Sequence, residues 1–221
     1  MPETKRIEQP NVLIVEGADE VNLFRKLRNS MGVEKLQILG VGGKDKIRVD
    51  LELIANDLKQ ETPLVASIGI IRDADQDPKA AFQSVQAALK KWDLPVPNQV
   101  LEPAGERPCV RIMILPGFNR KGSLETLCIK SVGHDPAATC VEEYVQCLRK
   151  NKIKLPANLD KTRAYTFMAS RQVPEDEIGV GAQKSYWNLD SSAFDEVKNF
   201  IRLVVSGADL KNKPRKNRKD I

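Results

Sequence analysis

Two apolar runs end abruptly on carboxylates: Asn11-Val-Leu-Ile-Val-Glu16-Gly17-Ala-Asp19-Glu20 and Ile68-Gly-Ile-Ile-Arg-Asp73-Ala-Asp75-Gln-Asp77-Pro78. Each run is uninterrupted and rich in β-branched residues, the pattern of a strand covered on both faces. Ligands of open α/β sheets bind beyond the carboxyl ends of the strands. Carboxylates gathered there suit a hard divalent cation and phosphate chemistry. Asp73 and Asp75 form a D-x-D pair able to hold Mg²⁺, which favours a few carboxylates and retains waters. Glu16 faces the same crevice if the two strands are neighbours, as a metal ligand or as a general acid or base. Crowded carboxylates repel one another, which favours an ion among them. Beside this stands a plainer alternative, loop acids and helix N-caps, and it suits Asp19 and Asp77, each of which precedes a helical pattern.

The elements that must position these acids follow from periodicity. Strand one covers 11–17, with Asp19 as the expected N-cap of a helix carrying Val21, Phe24 and Leu27 and closing at Gly32. Strand two is Leu36–Leu39, leading into Gly40-Val-Gly42-Gly43-Lys44, and a helix is expected from about 45 to 60. Strand three covers 64–72. Pro78 opens a helix whose stripe runs through Ala81, Val85, Leu89 and Trp92. The β-α-β-α-β-α order predicts parallel strands joined by crossovers. Prolines and glycines then break residues 95–117 into short pieces, with Val110–Leu115 as the convincing strand and Gln99-Val-Leu101 as its candidate partner. Further helices are expected from Ser123 to Val132, Ala138 to Lys150, Asp160 to Arg171 and Ser192 to Ser206. One α/β domain over 1–206 is predicted, with a core of about 11–130 and a helical extension of about 131–206.

Composition narrows the chemistry. The 221 residues are 41% hydrophobic and 29% charged, and no apolar run reaches the roughly 20 residues of a membrane span. The first residues, Met1-Pro-Glu-Thr-Lys-Arg6, hold no secretory h-region, so the cytoplasm is the expected compartment. Most of the net charge of +5 resides in the segment 207–221, through Lys211, Lys213, Arg215, Lys216, Arg218 and Lys219. That tail is expected to be a disordered, solubilising end, with a phosphate-binding arm for nucleic acid as its functional alternative. Cys128, His134, Cys140 and Cys147 are spaced too widely for a zinc site. His134 is the sole histidine and lies in a turn pattern, which disfavours acyl-transfer catalysis.

Val15-Glu16-Gly17 with Asp19-Glu20, then Asp73-Ala-Asp75 after the third strand, resembles the Toprim domain of topoisomerases, primases and OLD-type nucleases. The resemblance spans about residues 11–130 and includes the glycine turn after strand two. It implies a Rossmann-like, mostly parallel sheet flanked by helices. It also implies that Glu16 is the acid/base or a ligand, and that Asp73 and Asp75 bind Mg²⁺ or Mn²⁺. Gly122-Ser123-Leu-Glu125 resembles the element in which a second acid, here Glu125, extends the metal site. Asp160-Lys161-Thr-Arg163-Ala-Tyr165 resembles the later lysine-bearing segment, in which Lys161 would stabilise charge on a phosphoryl group. Glu20 is the further candidate for a second ion, and Gly17, Ser123 and Asp77 are accessory candidates. Solvated lysine and capping acid are the alternatives for Lys161 and Glu125.

The sequence departs from the larger members of that family, with no zinc ribbon and no ATPase domain of the OLD kind. It looks most like small Toprim-like proteins of bacteria and archaea. Gly42-Gly43-Lys44-Asp45 lacks the spacing and hydroxyl of a P-loop. An aspartyl phosphatase would carry its D-x-D after strand one, and a phospho-receiver would need about half this length. The expected activity is metal-dependent phosphodiester cleavage in DNA or RNA with one or two ions. Expected partners are nucleic acid, a separately encoded ATPase and a second copy of the chain, with no membrane. The alternative is a catalytically silent, metal-binding Toprim module serving as a nucleic-acid scaffold.

Overall fold

Five successive buried residues, Asn11–Val15, form the central strand β1, because only a strand covered on both faces hides every side chain. Leu13 and Val15 enter one hydrophobic cluster, whereas Val12 and Ile14 enter a second on the opposite face. The structure is a computed structural model that describes residues 6–40 and 47–209. Among those residues, β2 (Leu36–Gly40), β3 (Ser67–Asp73) and β4 (Cys109–Leu115) complete a four-stranded sheet in the order β2-β1-β3-β4. Every pairing is parallel. The chain leaves β1 for β2 on one side and returns to place β3 on the other. The topological switch point therefore falls between β1 and β3, where an open α/β sheet splays to admit a ligand.

Helix α1 (Ala18–Ser30) packs on one face through Leu23, Phe24 and Leu27. Helices α2 (Ile47–Asp57) and α3 (Pro78–Lys91) cover the other through Leu51, Ile54, Val85 and Leu89. The C-terminal half then adds α4 (Leu124–Ser131), α5 (Pro136–Lys150), α6 (Leu159–Ala169), α7 (Ile178–Gln183) and α8 (Asp195–Asp209), and these join the α1 face. The expected helical extension thus folds back as the second layer of the sheet. It packs tightly on Gly69 of β3, where a Cβ would lie 2.6 Å from Val204 Cγ2 and 3.2 Å from Phe200 Cε1. Phe167 and Trp187 stack with ring centroids 5.3 Å apart, and the indole N–H donates to the Ile178 carbonyl. These aromatics serve packing.

Three expectations about the elements are corrected. The N-cap of α1 is Gly17, not Asp19. Strand β3 begins at Ser67 because its pairing with β1 begins at Asn11; just before it, the Asp57 carboxylate holds the Val65 N–H at 3.0 Å. Gln99–Leu101 is a turn and not a strand: Leu101 has φ of 69°, and one hydrogen bond joins it to Ile112. Helix α7 had no periodic signal, since six residues give less than two turns of pattern. None of the described helices is long and apolar enough to cross a membrane.

Candidate functional site

The carboxyl ends of β1 and β3 present their acids to opposite faces of the sheet. Glu16 continues the alternation of Val12 and Ile14, and its Oε1 lies 3.2 Å from Nε of Arg72. Arg72 also donates to Ser84 Oγ on α3 at 3.0 Å. Asp73 takes the other face, and its Oδ1 accepts the backbone N–H of Leu124 at 3.0 Å, at the start of α4. That position places a carboxylate at the positive end of a helix.

Two residues on, Asp75 adopts φ of 49° and exchanges backbone hydrogen bonds with Gly122, 2.8 and 2.9 Å long. Gly122 has φ of 134°, and a Cβ there would come within 2.5 Å of Thr126 Oγ1, so glycine is required. This clasp fixes the start of α4 beside the D-x-D. Ser123 caps α4, and its hydroxyl donates to Glu125 Oε2 at 2.5 Å. Glu125 is only 7% exposed, and Lys161 Nζ stands 3.7 Å from its Oε1. Asn158, the cap of α6, donates to Ser123 Oγ at 3.1 Å, and Thr126 Oγ1 donates to Asp160 at 2.7 Å. These bonds seat α6 against α4 and bring Lys161 to the acids. Glu20, in the first turn of α1, folds over Gly17: a Cβ there would lie 2.6 Å from Glu20 Oε2.

The electrostatics link these groups. Burial, reinforced by Glu125, Glu16 and Glu20, pushes the Asp73 carboxyl well above the usual range, and the Leu124 N–H only partly offsets this. Burial also raises Glu20, helped by Glu16, Asp19 and Glu125. Partial burial works against the Lys161 ammonium, but Glu125, Asp73 and Asp75 together outweigh it and raise its pKa. Tyr165, one turn beyond Lys161, is raised by burial and by Glu125 and Asp19. Glu16, Glu20, Asp73, Asp75, Glu125 and Lys161 therefore share one electrostatic neighbourhood, drawn from the ends of β1 and β3 and from α1, α4 and α6.

The donor set is all oxygen and carries excess negative charge, which suits a hard cation. Among the described residues, however, no three His, Cys, Asp or Glu side chains are grouped closely enough to hold a metal. Glu16 is engaged by Arg72 and Glu125 by Ser123 and Lys161. Mg²⁺ needs only one or two carboxylates when waters and substrate phosphates fill its shell, so the residues fit such an ion without a closed cage.

Other candidates stand apart from this cluster. Asp77 caps α3 by accepting the Ala80 N–H at 2.9 Å. Asp19 accepts the N–H groups of Ile178 and Gly179, which seats α7 on α1. Cys109 and Cys128 are buried, whereas Cys140 and Cys147 are exposed. The Gly42-Gly43 turn and the basic residues Lys211 to Lys219 lie outside the described residues. Sequence reasoning missed Arg72 and Asn158. An arginine inside an apolar strand was a usable sign for the first, whereas the second depends on a contact 35 residues away.

Fold and site together define an α/β protein whose four-stranded parallel sheet carries an acidic cluster and a lysine at its switch point. The chain belongs to the family described as DUF3226, protein of unknown function, whose model matches residues 10–206. Among solved structures it is similar in fold to the C-terminal region of the Xanthomonas campestris pv. campestris OLD protein. That likeness has a TM-score of 0.51 at 13% identity, covering 91% of this chain and 95% of that chain. No curated protein matches the chain.

Proposed function

We propose that this protein is a Toprim-type nuclease, a Mg²⁺- or Mn²⁺-dependent hydrolase of phosphodiester bonds in DNA or RNA. The observation that supports it is the shared field of Glu16, Glu20, Asp73, Asp75, Glu125 and Lys161 at the switch-point edge. The fold likeness to the C-terminal region of an OLD protein is in keeping with it. Asp73 and Asp75 would hold the ion, with Glu20 or Glu125 as neighbouring ligands. A bound divalent cation supplies charge neutralisation at the phosphate and acidifies water. Lys161 would face the phosphoryl oxygens and stabilise the charge that grows on them. Glu16, held in place by Arg72, is the candidate proton acceptor. Glu20, whose carboxylate folds over Gly17, would support a second ion.

One observation favours the alternative of a silent nucleic-acid-binding module: Glu16 already has an ion-pair partner in Arg72. Labelled single- and double-stranded DNA and RNA, incubated with the full chain with and without Mg²⁺ or Mn²⁺, separate the two. Cleavage that is lost in chelator and in Asp73→Ala is the expected result. Undiminished cleavage by that variant overturns the assignment of the site, and binding without cleavage supports the silent module.

A further inference from the structure

Phe118 is 70% exposed, more than any other large apolar side chain among the described residues. It stands on the loop 116–122, between β4 and the cap of α4. This loop is internally tied. The Gly117 N–H donates to the Ile114 carbonyl at 3.0 Å and the Arg120 N–H to the Gly117 carbonyl at 3.2 Å. The Arg120 guanidinium reaches the Pro116 carbonyl at 3.2 Å and Glu196 of α8 at 2.6 Å. Both ends of the loop are fastened to the acid-bearing segment: Leu115 is the register partner of Asp73, and Gly122 pairs with Asp75. The phenyl ring is thus carried on a braced loop whose two ends are anchored beside Asp73 and Asp75, with the exposed Lys121 close behind it in sequence.

A hydrophobic ring displayed on such a loop, beside a site for phosphate chemistry, suits one kind of partner. Every nucleobase has a flat π-face, and base–aromatic stacking is the usual sequence-tolerant grip on single strands. Bases inside a duplex are already stacked on their neighbours and cannot offer that face without extrusion. The exposed Lys121 and the half-exposed Lys161 would be available to the adjoining phosphates. We propose that Phe118 stacks on an unpaired base next to the phosphate held at the acidic cluster, so that the substrate is single-stranded nucleic acid or a frayed end and not intact duplex. This rests on reading the cluster as a nucleic-acid site.

The test is binding of the full chain to short oligonucleotides, single-stranded and blunt duplex, in Ca²⁺, so that a hard cation neutralises the acidic cluster, with cleavage of the same strands followed separately in Mg²⁺. One base of the single strand is 2-aminopurine, whose fluorescence is quenched on stacking. The expected result is tighter binding of the single strand than of the duplex. Phe118→Ala should weaken single-strand binding by about 5- to 150-fold, the range of one lost stack, and abolish the quench. Phe118→Trp should restore both, and all three proteins should melt together. Single-strand binding by Phe118→Ala within about twofold of the parent overturns the proposal even if cleavage is intact. Phe118-dependent binding without metal-dependent cleavage sustains the proposal and overturns the hydrolytic function. A parent protein that binds no nucleic acid overturns both.

Discussion

Asp73→Asn should make the metal-free protein more stable at neutral pH while removing the proposed cleavage activity. The Asp73 carboxyl is pushed up by burial and by Glu125, Glu16 and Glu20, so the folded chain holds its proton to a higher pH than the unfolded chain does. Stability from the protonated form is complete below the unfolded pKa of about 4 and is lost as pH rises through the folded value. As pH rises above the unfolded value, the native state therefore carries either a retained proton or a poorly compensated charge, and both lower its stability. Unit charges about 8–10 Å apart repel by about 2 kcal/mol at an effective dielectric near 20, and water at the open edge reduces the sum over three neighbours. Asparagine keeps Oδ1 as acceptor for the Leu124 N–H, forfeiting only about 0.5–1 kcal/mol of charge assistance. The net gain is about 1–2 kcal/mol, or a rise in Tm of about 2–8 °C for a chain of this size. Thermal melts of both proteins in chelator, from pH 4 to 8, are the assay. The gap should open as pH rises and close near pH 4. A variant that melts at or below the parent at every pH would mean that Asp73 is a structural anchor for α4, and the electrostatic account would be wrong.

Lys161→Ala should lower Tm by no more than about 4 °C, because the lysine is half-exposed and its 3.7 Å contact contributes at most about 1 kcal/mol, while the buried Glu125 keeps the Ser123 hydroxyl. It should lower kcat by about 100-fold or more, as loss of a charge-stabilising donor does; turnover within threefold of the parent refutes its role. Asp19→Ala removes the carboxylate that accepts from Ile178 and Gly179. About 1–2 kcal/mol of stability should be lost, with faster amide exchange at those two residues; unchanged exchange there would show that α7 is held by packing alone.

Much of this architecture is written locally. The two uninterrupted apolar runs made β1 and β3 recognisable as doubly covered strands, and the carboxylates at their ends marked the edge where a ligand belongs. Pro78 with Asp77 marked the start of α3, and helical spacing marked α1, α5 and α8. These features were legible because burial on two faces, capping and a 3.6-residue repeat each leave a pattern within a few neighbours in the chain.

Other features depend on partners distant in sequence. Asp19 precedes a helical pattern and so resembles a cap of its own helix, yet it caps α7, 159 residues away. Glu125 could be read from sequence as a capping acid, but Thr126 accepts the Ser123 N–H instead, and that leaves Glu125 facing Lys161. Strand alternation decides that Glu16 and Asp73 leave the sheet on opposite faces, and the pairing of Glu16 with Arg72 follows from that register. By itself the sequence determined which residues carry charge and which segments are buried, since both are properties of side-chain chemistry and short-range spacing. Only the tertiary structure decided which carboxylates come under one another's influence, which are tied to arginine or a helix end, and which loop is fastened beside them, because electrostatic and hydrogen-bond energies fall with distance in space and take no account of separation along the chain.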